Sequence, residues 1–217
     1  MLRNRKGFVL GIVDSGIANI GSVKRAFQRL GVEATLLSSG RDLKNADAVV
    51  LPGVGSFADG MASLREKDFV QPLKDHSAAG KPMIGLCLGM QLLADASEEN
   101  GWSQGLGIIR GEVKKLEPTG SERVPNIGWC DVTPTVGGRL FEGFPAETPV
   151  YFVHSYHLVC NDPTVTAATI SFGGTEVTAA IERESVFGLQ GHPEKSQDAG
   201  LHILDNFVNL SLKSVTV

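Results

Sequence analysis

The sequence predicts an α/β fold: a central, mostly parallel sheet flanked by helices and continued by an antiparallel β extension. Three observations carry this. The first half alternates short apolar runs with segments of helical periodicity. From Gly105 to Val186 the chain turns into short β segments separated by turns, and one amphipathic helix closes it.

Phe8–Val13 is a continuous apolar run, as expected of a strand buried on both faces. In Gly21–Leu30, Val23, Ala26, Phe27 and Leu30 fall at helical spacing among charged residues, and Gly31 stands where a helix C-terminus favours glycine. Val32–Leu37 and Ala48–Leu51 read as strands. Phe57–Lys67 and Phe69–Ala79 read as helices, ended by Gly80-Lys81-Pro82. Met83–Leu86 is a strand and Gly89–Ser97 a helix. Strands joined through helices of this length call for right-handed crossovers and parallel pairing. The β segments beyond are Val113–Leu116, Ile127–Thr133, Val150–Val159, Thr166–Ser171, Glu176–Ile181 and Val186–Gln190, with Gly173-Gly174 as a hairpin turn. Leu201–Leu210 is the closing helix. With no repeat, linker or low-complexity tract, residues 1–217 are expected to form a single domain.

Composition narrows the function classes. The chain has 217 residues with 20 basic and 24 acidic side chains, a net charge of −4, so no basic surface argues for nucleic acid or an anionic membrane. The basic stretch at 1–6 and the apolar run after it are too short and polar for a signal peptide or membrane span, so a cytoplasmic location is expected. Cys87, Cys130 and Cys160 show no CxxC spacing, and no Cys/His cluster calls for a metal. The 26 glycines exceed the usual ~7%, and where they cluster is informative.

One cluster is Gly85-Leu86-Cys87-Leu88-Gly89, running from an apolar strand into a helix. This is the thiol form of a nucleophile elbow: the turn is too tight for flanking side chains, and the nucleophile projects at a helix N-terminus, where the dipole favours thiolate. A thiol nucleophile needs a base and an orienting group. His192 opens His192-Pro193-Glu194 directly after an apolar strand, and Glu194 is placed to hold its tautomer. The second cluster, Pro52-Gly53-Val54-Gly55, satisfies G-x-G-x-x-A with Ala58. Pro52, a position outside the first βα turn and the lack of a suitable ribose-binding acid all weigh against a dinucleotide site. The remaining reading is a backbone segment that offers N–H groups to an oxyanion.

Five blocks, LPGVGSF (51–57), GLCLGMQLL (85–93), VPNIGW (124–129), YFVHSY (151–156) and GLQGHPEKS (188–196), give the chain a resemblance to the class I (triad) glutamine amidotransferases over nearly its whole length. Three of these blocks place it nearest the subfamily that supplies ammonia for imidazole glycerol phosphate synthesis in histidine biosynthesis. The resemblance implies Cys87 as nucleophile, His192 as base and acid, and Glu194 as its orienting group. It implies Gly53, Val54 and Gly55 as an oxyanion strand after a peptide reorientation, with Leu88 N–H as second donor. Gln91, Glu99 and the backbone of Ser155 and Tyr156 would hold L-glutamine, with no cofactor. Trp129 and Tyr151 would face a (β/α)8-barrel synthase (cyclase) subunit, the heterodimer partner that receives the ammonia. Alternatives are a paralogue that feeds acetamidino-sugar synthesis and a non-catalytic regulatory subunit. Ser15, Asn126, Cys130 and Gly191 stand where relatives carry Tyr, His, Asn and Phe; the first three are expected near the partner face, the fourth behind His192.

Overall fold

A computed structural model of the chain describes residues 7–120, 122–135, 137–145 and 148–215. The basic stretch at 1–6 lies outside the described residues. The strands are β1 (Leu10–Val13), β2 (Ala34–Leu37), β3 (Ala48–Gly53), β4 (Met83–Cys87), β5 (Ala96–Ser97), β6 (Ser103–Gln104), β7 (Gly111–Lys115), β8 (Asn126–Pro134), β9 (Thr148–His154), β10 (Tyr156–Cys160), β11 (Thr166–Phe172), β12 (Thr175–Arg183) and β13 (Val186–Leu189). The α-helices are α1 (Ile20–Arg29), α2 (Phe57–Glu66), α3 (Val70–Ala78), α4 (Leu88–Leu92) and α5 (Gln197–Val215).

Nine strands form one sheet in the order β2-β1-β3-β4-β13-β12-β11-β8-β9. The first five run parallel, and from β13 onward each neighbour is antiparallel. Alternation along β3 shows how the sheet is buried on both faces. Ala48 and Val50 pack with Val23 and Phe27 of α1 and Leu204, Phe207 and Val208 of α5, whereas Val49 and Leu51 pack with Met61 and Leu64 of α2 and Leu73 of α3. Helix starts follow capping chemistry: Asn19 Oδ1 accepts from Ser22 N at 3.3 Å, and Ser56 Oγ accepts from Asp59 N at 3.2 Å.

Three expectations need correction. The helix expected over Gly89–Ser97 is α4, only five residues long. Beyond it the chain is drawn into a second sheet, where Asp95 N donates to Gly111 O at 3.0 Å and Ala96–Ser97 pair with β7. The strand expected over Val150–Val159 is two strands. β9 stays in the large sheet, and after Ser155 the chain turns so that β10 pairs with β7, with Leu116 N donating to Ser155 O at 2.9 Å. The antiparallel region is therefore not one continuation: β10-β7-β5-β6 form a separate four-stranded sheet. An unbroken apolar pattern carries no mark of a corner at which a strand changes sheets.

The carboxyl ends of β3, β4 and β13 lie side by side, and the order β2-β1-β3 reverses direction at β1. In open α/β sheets the crevice beyond such strand ends is where side chains converge on a ligand.

Candidate active site

Cys87 is the last residue of β4, at φ +52°, and only 8% exposed. Positive φ is costly for a residue with a side chain and persists only where packing imposes it. The packing here is backbone on backbone: a Cβ on Gly85 would stand 2.6 Å from Gly89 O, and one on Gly89 would overlap Leu51 O. The elbow glycines are therefore fixed by close approach.

His192 lies in the loop after β13, 4% exposed. Its Nδ1 donates to Glu194 Oε1 at 2.8 Å, which fixes the tautomer and turns Nε2 away from the carboxylate. Burial acts against charge on His192, but the Cys87 and Glu194 side chains outweigh it and push the pKa up to about 9. Nε2 itself makes no well-aligned hydrogen bond among the described residues. Cys87 nonetheless does most to raise the imidazole, in the loose geometry that catalytic hydrogen bonds often have before substrate binds. The loop is wired to β9: His192 N donates to Tyr151 O at 2.8 Å, and Ser196 Oγ, which donates to His192 O at 2.7 Å, accepts from Tyr151 N at 2.9 Å.

Cys87 and His192 line one cavity of about 340 Å³, together with Val54, Gly55, Leu88, Gln91, Glu99, Ser155 and Tyr156. Most residues singled out from the sequence thus meet in one place, while Gly53 stands beside Cys87 across β3 and β4. Three of them already carry hydrogen bonds of their own. Val54 N donates to Ile17 O at 2.9 Å, so this N–H is already engaged. Gln91 commits its amide nitrogen to Tyr156 O at 2.9 Å and Gln190 Oε1 at 3.0 Å, which leaves its oxygen for a ligand. Glu99 Oε2 accepts from Phe57 N at 2.6 Å, capping α2.

Trp129 is 50% exposed on β8, paired with Tyr151 of β9, and their rings meet edge to face at 5.8 Å. Ile127 and Val153 add exposed apolar surface to the same two strands. Ser15 and Asn126, expected near a partner face, are buried. Gly191 fits a close approach: a Cβ there would stand 2.6 Å from Val150 Cγ1 and 3.3 Å from Phe152 Cζ, so Val150 would have to shift to admit a side chain.

One side chain was missed. Gln190, fully buried, donates to Cys87 Sγ at 3.9 Å. Asn126 meets His154 Nε2 at 3.2 Å, while His154 Nδ1 donates to Tyr156 O at 2.9 Å. The only available signal for Gln190 was its place two residues before His192 at a strand end. His76 is buried on α3 with Nε2 3.1 Å from Pro82 O. The other two thiols are not activated: burial raises Cys130 and pushes Cys160 up to about 11. Among the described residues no three His, Cys, Asp or Glu side chains cluster as metal ligands, and no helix is long and apolar enough to cross a membrane.

The family model for glutamine amidotransferase class-I matches residues 11–210. The chain is 44% identical over 202 residues to the imidazole glycerol phosphate synthase subunit HisH of Gloeothece citriformis, covering 93% of this chain and 95% of that one. It is 41% identical to the subunit of the same name from Sulfurimonas denitrificans, over 92% of this chain and 97% of that one. Among solved structures, PurLQS from Thermotoga maritima superposes with a TM-score of 0.74 at 20% identity, over 94% of this chain and 98% of that one, a likeness of fold.

Proposed function

We propose that this chain, which belongs to the class-I glutamine amidotransferase family, is the glutaminase subunit of an imidazole glycerol phosphate synthase. The observation that carries the chemistry is the convergence of Cys87 and the Glu194-oriented His192 on one cavity. The pathway rests on the relatives that match over more than nine-tenths of the chain.

In this reading the Cys87 sulfur attacks the side-chain carboxamide carbon of L-glutamine. The carbonyl oxygen takes up negative charge, and His192 passes its Nε2 proton to the departing nitrogen as ammonia leaves. His192, now neutral, takes a proton from water, whose oxygen attacks the γ-glutamyl thioester; glutamate leaves and the proton returns to the Cys87–His192 pair. Glu194 keeps the imidazole in the tautomer this needs. Leu88 N–H, at the start of α4, is one oxyanion donor, since the first helical N–H groups lack intrahelical partners. Val54 N–H becomes the second only after it releases Ile17 O, with Gly53 and Gly55 as the points about which the peptide turns. The Gln91 oxygen, Glu99 and the Ser155–Tyr156 segment hold the polar ends of the substrate.

The face built by β8 and β9, with Ile127, Trp129, Tyr151 and Val153, receives the partner, a (β/α)8-barrel subunit that accepts ammonia through the interface. Residues 1–217 act as one domain in the cytoplasm. The test is glutamate release by the full chain with its barrel partner. Cys87→Ser should abolish glutamine hydrolysis while leaving ammonia-driven synthesis by the complex intact. Wild-type turnover in that variant would sink the nucleophile assignment.

A further inference from the structure

Behind the nucleophile runs a chain of hydrogen bonds that the triad does not use. Leu189 pairs with Leu86 in the parallel ladder of β13 and β4, so the next residue, Gln190, comes to stand beside Cys87. Gln190 is fully buried and makes use of both ends of its amide: Nε2 donates to Cys87 Sγ at 3.9 Å, and Oε1 accepts from Gln91 Nε2 at 3.0 Å. Gln91 gives its other N–H to Tyr156 O at 2.9 Å. The orientation of both amides follows from one group that can only accept, the Tyr156 carbonyl. Gln91 must turn its nitrogen toward it; its second N–H then meets Gln190 Oε1, which leaves Gln190 its own nitrogen to offer the sulfur.

We propose that Gln190 is a positioning residue of the glutaminase reaction, holding the Cys87 sulfur by a donated hydrogen bond and tying it through Gln91 to the Tyr156 segment. This rests on the glutamine-hydrolysing reading above. A buried amide is stabilising only when both its ends are satisfied. Donation into Gln190 Oε1 polarises the amide and strengthens the N–H that points at sulfur. A hydrogen bond to sulfur at 3.9 Å is weak while the sulfur is neutral and gains strength when it carries negative charge. Gln190 therefore favours the attacking form of Cys87, and does so independently of His192. A displacement of the Tyr156 carbonyl reaches the sulfur through three hydrogen bonds in series.

Two variants of the full chain test this. Gln190→Met keeps length and volume but removes both amide ends. Gln190→Glu keeps the acceptor for Gln91 and sets a carboxylate oxygen where the donor was. In Gln190→Met, kcat for glutamate release should fall about tenfold with KM within about twofold of wild type. Alkylation of Cys87 by iodoacetamide, read by mass spectrometry of its peptide, should slow by about the same factor. In Gln190→Glu both should fall further. A purely structural role would lower the melting temperature and leave the alkylation rate of Cys87 alone; that result, or wild-type kcat in a folded variant, overturns the proposal. If Gln190→Met does not fold, Gln190→Glu decides by the same two readouts. Failure of the glutaminase reading is separately visible, because wild-type protein would then release no glutamate while the alkylation comparison still reports on Gln190.

Discussion

Gly53 and Cys87 face each other across β3 and β4, and the two loops that leave from them are held in different ways. After β4 the chain has no freedom: β4 is buried along its length, and Cβ atoms on Gly85 or Gly89 would run into backbone. After β3, Val54 is 41% exposed, a Cβ on Gly55 would meet nothing within 4 Å, and a single backbone hydrogen bond to Ile17 keeps the Val54 N–H out of the cavity. Packing against backbone cannot relax without unfolding something, whereas one hydrogen bond is worth about 1 kcal/mol net and can be exchanged for another. Cys87 is held by packing on both sides, whereas the Val54 N–H is held by one exchangeable bond.

The largest test of this contrast is activation. If releasing Val54 N–H from Ile17 O completes the oxyanion hole, the barrel partner with its ligand should raise kcat for glutamine hydrolysis about 100- to 1,000-fold, with a smaller change in KM. Steady-state glutamate release with and without the partner checks it; an isolated chain that is already fast would erase the difference between the loops. Next in size is stability. Gly89→Ala should cost about 1–3 kcal/mol through overpacking, and Gly55→Ala, at φ +97° in open space, about 1 kcal/mol of backbone strain. Urea denaturation ranks the two, and the reverse order would mean that the β3 loop is the more rigid one.

The smallest effect concerns the polar wall that joins the site to β8. Burial drives the His154 pKa down to about 4 from 6.5, against the opposing hydrogen bond to Tyr156 O, and positive charge on His157 or His192 pushes the same way as burial. The unfolded chain then binds this proton more readily than the folded one. The contribution of His154 is nil above pH 6.5, and it lowers stability as pH drops from 6.5 toward 4, by up to about 1.4 kcal/mol per unit. His76 and His157, both lowered by burial, add to the slope. Urea midpoints between pH 7 and about pH 5 should decline less steeply in His154→Gln.

The elbow was readable because its chemistry is local: a Cys at positive φ between backbones in contact needs glycine two residues to either side, and that spacing is written in the chain. His192 and Glu194 were readable for the same reason, being two residues apart and bonded to each other. Gln190 was not, because glutamine at the end of an apolar strand carries no mark of its partner; only the register of β13 on β4 brings it to Cys87, 103 residues away in sequence. The division of 150–159 was hidden too, since residues on either side of Ser155 have similar composition and differ only in which sheet they join.

By itself, then, the sequence determined what depends on near neighbours: the alternation of strands and helices, the glycine-flanked thiol and the His-Pro-Glu turn. The tertiary structure alone decided which side chains stand behind Cys87, that the amide nitrogen of Gln91 is taken by Tyr156 and Gln190, and that Val54 N–H is engaged by Ile17. Those facts hang on hydrogen bonds between distant segments, and a donor finds its acceptor only once the sheet has set their distance.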